Sequence, residues 1–272
     1  MNSVLKKAKK KNINTKYFPY IIIKDALDDD LYEKLVKNYP SLEEISISHS
    51  EIVRYKKNIV NNSRYDMNAN YSLKNDKLSK EWKEFISYHT SDDFYREILK
   101  LFKKDIKNIY PNIENKLGKK LKELKTNIRF DNNKKDVTLD CQISMNSPVT
   151  ISSRVIGLHV DNQNKLFTGL LYFRDKDDNS VGGDLEIYKF NDDYPKINNL
   201  DFNKYQNKLS NLQQKNSNKI KKIDTIKYDK NVLVFFINSK KSLHSVSIRK
   251  KTEHNRKFVN FIGSFNNINE LF

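Results

Sequence analysis

Residues 156–190 decide how this chain is read: Ile156-Gly-Leu-His159-Val-Asp161-Asn-Gln-Asn-Lys165-Leu-Phe-Thr168-Gly-Leu-Leu-Tyr172-Phe173, an Asp/Lys-rich turn, then Gly182-Gly183-Asp-Leu-Glu-Ile-Tyr-Lys-Phe190. His159 and Asp161 stand two apart in an extended, β-branched context. On a strand, residues i and i+2 project from one face. An imidazole and a carboxylate then converge on one spot, which suits a divalent transition metal better than a hydrophobic core. The rest of the chain must supply a third ligand.

Working outward, residues 126–130, 140–145, 151–160, 167–173, 184–190, 225–228, 232–237 and 258–265 are short runs rich in Ile, Val, Phe and Tyr, separated by Asn/Asp/Gly/Ser clusters. Such spacing predicts a barrel or a two-sheet sandwich. Upstream, residues 17–24 read as a strand, and Leu31, Leu35, Val36 and Tyr39 mark one face of a helix that Pro40 ends. Residues 41–75 are polar and irregular; their Tyr/Asn-rich part, 65–71, is either a surface loop or a cover over a pocket. Helical spacing returns over 78–109, broken at Thr90-Ser-Asp-Asp93 into two amphipathic helices, with His89 as a structural histidine.

The expectation is therefore a mainly β fold with N-terminal helices. A single domain spans 17–272, in which a strand and helices over 17–115 buttress a β core over 125–265. Residues 1–16 are expected to form a flexible basic tail, and the Lys/Asn-rich stretch 195–222 a surface insertion.

Composition narrows the function classes. With 15 Phe and 15 Tyr spread along 272 residues, the chain is not a disordered one. Its net charge of +17 attracts anions, but lysines are dispersed rather than gathered into one footprint, so nucleic acid is a possible partner and not the favoured one. One cysteine, Cys141, excludes an internal disulfide framework and any multi-Cys zinc site, and points to a reducing compartment. The apolar run 232–237 is too short to span a bilayer, and no signal-peptide core follows the basic N-terminus; a cytoplasmic protein without a membrane partner is expected. Nothing in the sequence sets the oligomeric state.

The third ligand follows from the second half. The run Val232-Leu-Val-Phe-Phe-Ile237 leads through a short turn into His244-Ser-Val246. Two imidazoles and one carboxylate on adjacent strands make the facial triad of a non-haem Fe(II), with open positions for dioxygen and a chelating co-substrate. Arg256 then opens another strand, and its guanidinium suits the distal end of a dicarboxylate. Lys257 competes for that role, because strand neighbours point to opposite faces and the flanking residues favour neither.

With these residues in place the chain resembles the non-haem Fe(II)/2-oxoglutarate-dependent oxygenases, in their prolyl 4-hydroxylase-like branch. The resemblance rests on 158–162, 165–173, 182–186, and His244-Ser-Val with Arg256, and covers roughly 125–265. It implies a double-stranded β-helix, the jelly-roll or cupin-like core, with iron on His159, Asp161 and His244. It also implies 2-oxoglutarate with its far carboxylate on Arg256, joined by Tyr172 and with Thr168 on the same strand face. Where the branch usually carries a tyrosine on the strand before the metal motif, this chain has Gln142, Ser144 and Asn146.

The implied reaction consumes O2, decarboxylates 2-oxoglutarate to succinate and CO2, and hydroxylates an unactivated carbon of an amino acid, a peptidyl residue or a small metabolite. The intact carboxylate of Asp161 favours hydroxylation over halogenation. The alternatives are a nucleic-acid-modifying dioxygenase, against which Ile262 stands where a further arginine is expected, and a non-catalytic β-barrel binding module. His49 and His254 are assigned to structure or surface, and Gly182-Gly183 to a tight turn.

Overall fold

The computed structural model of the chain describes residues 3–53, 60–191, 201–215 and 217–272. In chain order these residues form β1 (Tyr20–Ile23), α1 (Asp29–Lys37), α2 (Leu42–Val53), β2 (Arg64–Met67), α3 (Ala69–Lys74), α4 (Lys80–His89), α5 (Asp92–Ile109) and α6 (Ile113–Leu117). There follow β3 (Thr126–Ile128), β4 (Val137–Asn146), β5 (Lys165–Tyr172), β6 (Leu185–Phe190), α7 (Phe202–Gln214), β7 (Ile220–Ile226), β8 (Leu233–Ile237), β9 (His244–Val246) and β10 (Arg256–Phe265).

Two sheets result. The larger has the order β1-β8-β5-β10-β4-β2, antiparallel throughout, with β3 added in parallel to β4. The smaller is antiparallel β7-β6-β9. Period-2 alternation assigns the faces of the large sheet. On β5, Phe167 and Leu171 join the core shared with the helices, whereas Leu170 and Tyr172 join a second core against Leu185 and Ile187 of β6 and Ile226 of β7. β8 repeats this, with Leu233, Phe235 and Ile237 on the helix face and Val234 and Phe236 toward the small sheet. The large sheet is thus covered by helices on one side and by the small sheet on the other.

The helix side carries the aromatic mass. Trp82, Phe85, Phe94 and Phe102 of α4 and α5 are buried against it, each contributing about 1.5–3 kcal/mol by burial. Gly263 exists for this packing: a Cβ there would lie 2.1 Å from the Phe167 ring. The break between α4 and α5 falls where expected, with the Ser91 hydroxyl capping α5 by accepting from the Phe94 N–H. No helix of the described residues is long and apolar enough to cross a membrane.

Three expectations are corrected. Residues 3–13 are not a loose tail: Val4 and Leu5 are buried in the helix-side core, and the Val4 N–H donates to His89 Nε2. Two apolar residues among lysines are enough to dock a segment too short to show periodicity. Residues 41–75 are not irregular, but hold α2, β2 and α3. These escape pattern reading because α2 buries a serine, Ser48, beside Ile45, and because β2 has no β-branched residue. Part of that stretch, 54–59, lies outside the described residues.

The third correction concerns residues 151–160, which form no strand but only isolated bridges, Ser153 with Arg249 and His159 with His244. The expected insertion contributes α7 and the start of β7, its residues 195–200 and 216 lying outside the described ones.

Candidate metal centre

His159, Asp161 and His244 come together although only His244 sits on a strand. Their ligand atoms all lie within 4.8 Å of one another. The His159–His244 bridge joins the two backbones reciprocally, N–H to C=O at 3.0 Å in both directions, and sets the rings 4.2 Å apart between centroids. Each ring is oriented by its own chain: Nδ1 of His159 donates to the Gly157 carbonyl and Nδ1 of His244 to the Ser242 carbonyl, both at 2.8 Å. A carbonyl only accepts, so the proton sits on Nδ1 and leaves Nε2 as the lone-pair nitrogen, the arrangement a metal-binding imidazole needs.

Electrostatics prepare the same state. Burial, with the neighbouring His244, lowers the His159 pKa to about 3, and burial lowers that of His244 as well, so both rings are neutral at physiological pH. For Asp161, burial alone would favour the acid; Lys165 and the two imidazoles outweigh it and hold the carboxyl well below the usual carboxylate range. Lys165 Nζ lies 3.0 Å from Asp161 Oδ1, and the Thr168 hydroxyl donates to Oδ2. Two neutral nitrogens and one fixed carboxylate form a donor set suited to a divalent transition metal.

A cavity of about 630 Å³ opens on these residues. Among its walls are His159, Asp161, His244, Thr168, Arg256 and Asn146. Of the two basic residues of β10, Arg256 lines the cavity, while Lys257 points to the other face and pairs with Asp175 at 2.7 Å. Arg256 is buried, its Nε donating to the Gly183 carbonyl at 2.8 Å and Nη1 to Asn146 Oδ1 at 3.1 Å. Its Nη2 has no partner.

Tyr172 packs its ring 5.0 Å from that guanidinium, and its buried hydroxyl is also without a partner, as is the Asn146 amide nitrogen. Buried donors normally find acceptors. Arg256 and Asn146 line the cavity that the His159/Asp161/His244 cluster also lines, and Tyr172 packs against Arg256, so three unpartnered donors lie close to that cluster.

Gly182 and Gly183 do more than turn the chain. Both adopt positive φ, and a Cβ on Gly182 would lie 1.8 Å from the Ile248 carbonyl oxygen, so the backbone approaches closely enough for Gly183 to seat Arg256.

The structure matches those of known oxygenases. A prolyl 4-hydroxylase from Phytophthora capsici superposes with a TM-score of 0.51 at 13% identity, over 99% of this chain and 68% of that one. The two share a fold. Also similar are a prolyl-4-hydroxylase from Pseudomonas putida (TM-score 0.42, 12% identity, 90% of this chain and 91% of that one). A prolyl hydroxylase from Trichoplax adhaerens, in complex with a peptide fragment of hypoxia inducible factor, gives 0.44 at 16% identity over 94% and 87%. No protein-family model matches the sequence, and no curated protein matches it.

Of the residues singled out from sequence, the three candidate ligands, Thr168 and Arg256 reach the cavity, and Tyr172 lies against Arg256. The Thr168 hydroxyl is engaged by Asp161, which makes it a partner of the ligand. His89 is satisfied in the helix core, with Nδ1 2.7 Å from the Phe85 carbonyl; the His254 carbonyl accepts from Arg249, and the side chain of His49 lies outside the described residues. Sequence reading missed the Asn146 contact to Arg256, the Lys165–Asp161 pair and the amide side chains of α7 that reach residues 158–160. Only the first had a signal, since Asn146 stood among the polar residues facing inward on β4.

Proposed function

We propose that this chain is an Fe(II)/2-oxoglutarate-dependent dioxygenase with a double-stranded β-helix core. Its reaction would be hydroxylation of an unactivated carbon of an amino acid, a peptidyl residue or a small metabolite. The single observation that carries this reading is the meeting of the His159/Asp161/His244 cluster with Arg256 at one cavity, where the unpartnered donor of Arg256 is joined by the unpartnered donor of Tyr172 packed against it. A metal alone would leave those donors unused, and a dicarboxylate chelated at the metal uses both.

In this reading His159, Asp161 and His244 hold the iron, and Lys165 with Thr168 keep Asp161 ionised and oriented. Arg256 and Tyr172 take the far carboxylate of 2-oxoglutarate, with Asn146 and Gly183 holding the guanidinium in place. Apolar walls from Leu170, Leu185, Phe236, Val246 and Phe258 exclude water around the reacting centre. The bound iron, with 2-oxoglutarate and O2, supplies the oxidising power; the chain supplies position and a dry environment.

The test is spectroscopic and chemical. Mixed anaerobically with Fe(II) and 2-oxoglutarate, the protein should develop a weak visible charge-transfer band, and admitting oxygen should release succinate slowly without further substrate. His159→Ala should abolish both. A wild-type protein giving neither band nor succinate would overturn the proposal.

A further inference from the structure

Residues 157–161 carry two of the three ligands outside any regular strand. Because His159 exchanges both its backbone hydrogen bonds with His244, the backbone groups of Leu158 and Val160 point the opposite way. Left unpaired in a buried position, each would cost about 1–3 kcal/mol. They are met by α7. Gln206 Oε1 accepts from the Val160 N–H at 3.2 Å while its Nε2 donates to the Val160 carbonyl, so one side-chain amide copies what a neighbouring strand would offer.

Two helical turns further along the same face, Gln213 Oε1 accepts from the Leu158 N–H at 2.7 Å. Its Nε2 donates to Ser245 Oγ at 3.0 Å, on the residue that follows His244. Between the two glutamines Leu209, fully buried, packs with Leu158, Val160 and Leu243. The fit is close: a Cβ on Gly157 would stand 3.1 Å from Gln213 Oε1, and the Gly157 carbonyl is the one that orients His159.

We propose that Gln206 and Gln213 are positioning residues of the metal centre. By fixing the backbone at Leu158 and Val160, they set where the side chains of His159 and Asp161 point, and Gln213 couples that segment to β9 and His244. The inference rests on the metal-binding reading above. It gives α7 a role that its place in a Lys/Asn-rich stretch did not suggest.

The experiment titrates metal-free protein with Co(II) and follows the visible ligand-field absorption. Gln206→Ala and Gln213→Ala should each weaken Co(II) affinity by about 10- to 100-fold and alter the band shape. Tyr205→Phe, which removes a different α7 hydrogen bond, to the Lys240 carbonyl, should leave both unchanged. Gln206→Met keeps length and helix propensity and deletes only the hydrogen bonds, so it carries the same expectation should alanine unsettle the helix. Unchanged affinity and band in the glutamine variants, beside a wild type that binds Co(II), overturns the clamp. A wild type that fails to bind Co(II) overturns the metal reading itself.

Discussion

Replacing Tyr172 with Phe should stabilise the co-substrate-free protein and at the same time weaken its hold on 2-oxoglutarate. The Tyr172 hydroxyl is buried and unpaired. Burial raises its pKa, with Arg256 opposing, so it is a neutral donor at physiological pH. A buried hydroxyl without a partner costs roughly 1–3 kcal/mol. Phenylalanine deletes it and keeps the ring, 5.0 Å from the Arg256 guanidinium and edge-on to Tyr228 at 5.5 Å. The ligand-free variant should therefore gain about 1 kcal/mol, a rise of about 2–4 °C in melting temperature for a chain of this size.

With the co-substrate bound, the sign reverses. A hydrogen bond to a charged group contributes about 1.5–3 kcal/mol, so losing it should weaken 2-oxoglutarate binding roughly 10- to 100-fold, at about 1.4 kcal/mol per tenfold. Thermal unfolding without ligand and anaerobic calorimetric titration with 2-oxoglutarate measure the two halves separately. A Phe variant that melts earlier, or that binds 2-oxoglutarate as tightly as the wild type, would refute the assignment of this hydroxyl.

Two further outcomes are expected. Arg256→Met should weaken 2-oxoglutarate binding by roughly 30-fold or more, since removing one partner of a buried charged contact costs about 2–5 kcal/mol. Lys257→Met, which removes the pair with Asp175 and the contact with the Tyr39 ring, should leave that affinity unchanged in the same titration. The second concerns His89, whose Nε2 accepts from Val4 and whose pKa burial lowers from 6.5 to about 3. The folded state refuses a proton that the unfolded chain accepts, so this contribution is complete above about pH 6.5 and is lost as pH falls toward 3, by up to about 1.4 kcal/mol per unit. Urea unfolding of wild type and His89→Gln should show a stability difference that shrinks with acid; parallel pH profiles would contradict it, and the other histidines cancel in the comparison.

How much was legible in the sequence follows from which interactions are local. β8, β5 and β10 announce themselves because each buries both faces and is dense in apolar residues, without a break in β8. The convergence of His159, Asp161 and His244 was legible because His159-Val-Asp161 and His244 keep short-range signatures, even though the first pair lies on an irregular segment. The Arg256 and Lys257 alternatives could not be separated from alternation alone, since both faces of β10 are buried and polar Asn260 shares one of them. Val4 and Leu5, Gln206 and Gln213 stayed hidden for a different reason. Their partners are His89 and the backbone of Leu158 and Val160, and no local pattern encodes a contact between remote segments.

The two buried arginines explain the glycine pair and the character of the pocket together. Arg249, with no exposed surface, holds Asn62 Oδ1 and the carbonyls of Ser147 and His254 at 2.8–3.0 Å. Burial, then the nearby charge of Arg256, lowers its pKa to about 10, so it stays cationic at neutral pH. A Cβ on Gly183 would lie 3.0 Å from Arg256 Cδ and 3.1 Å from Arg249 Cγ, so the glycine is what lets both side chains pass. Neither arginine forms an ion pair with a carboxylate among the described residues. Around Arg256 the contacts are carbonyl dipoles and the rings of Tyr172, Tyr228 and Phe258, while buried Asp178 acts on Arg249 from beyond ion-pair distance. On the proposed reading, a dianion in the cavity would bring negative charge to Arg256, and a neutral molecule of the same shape would not. On the same reading, preference for a dicarboxylate would follow from charge balance first and from cavity shape second.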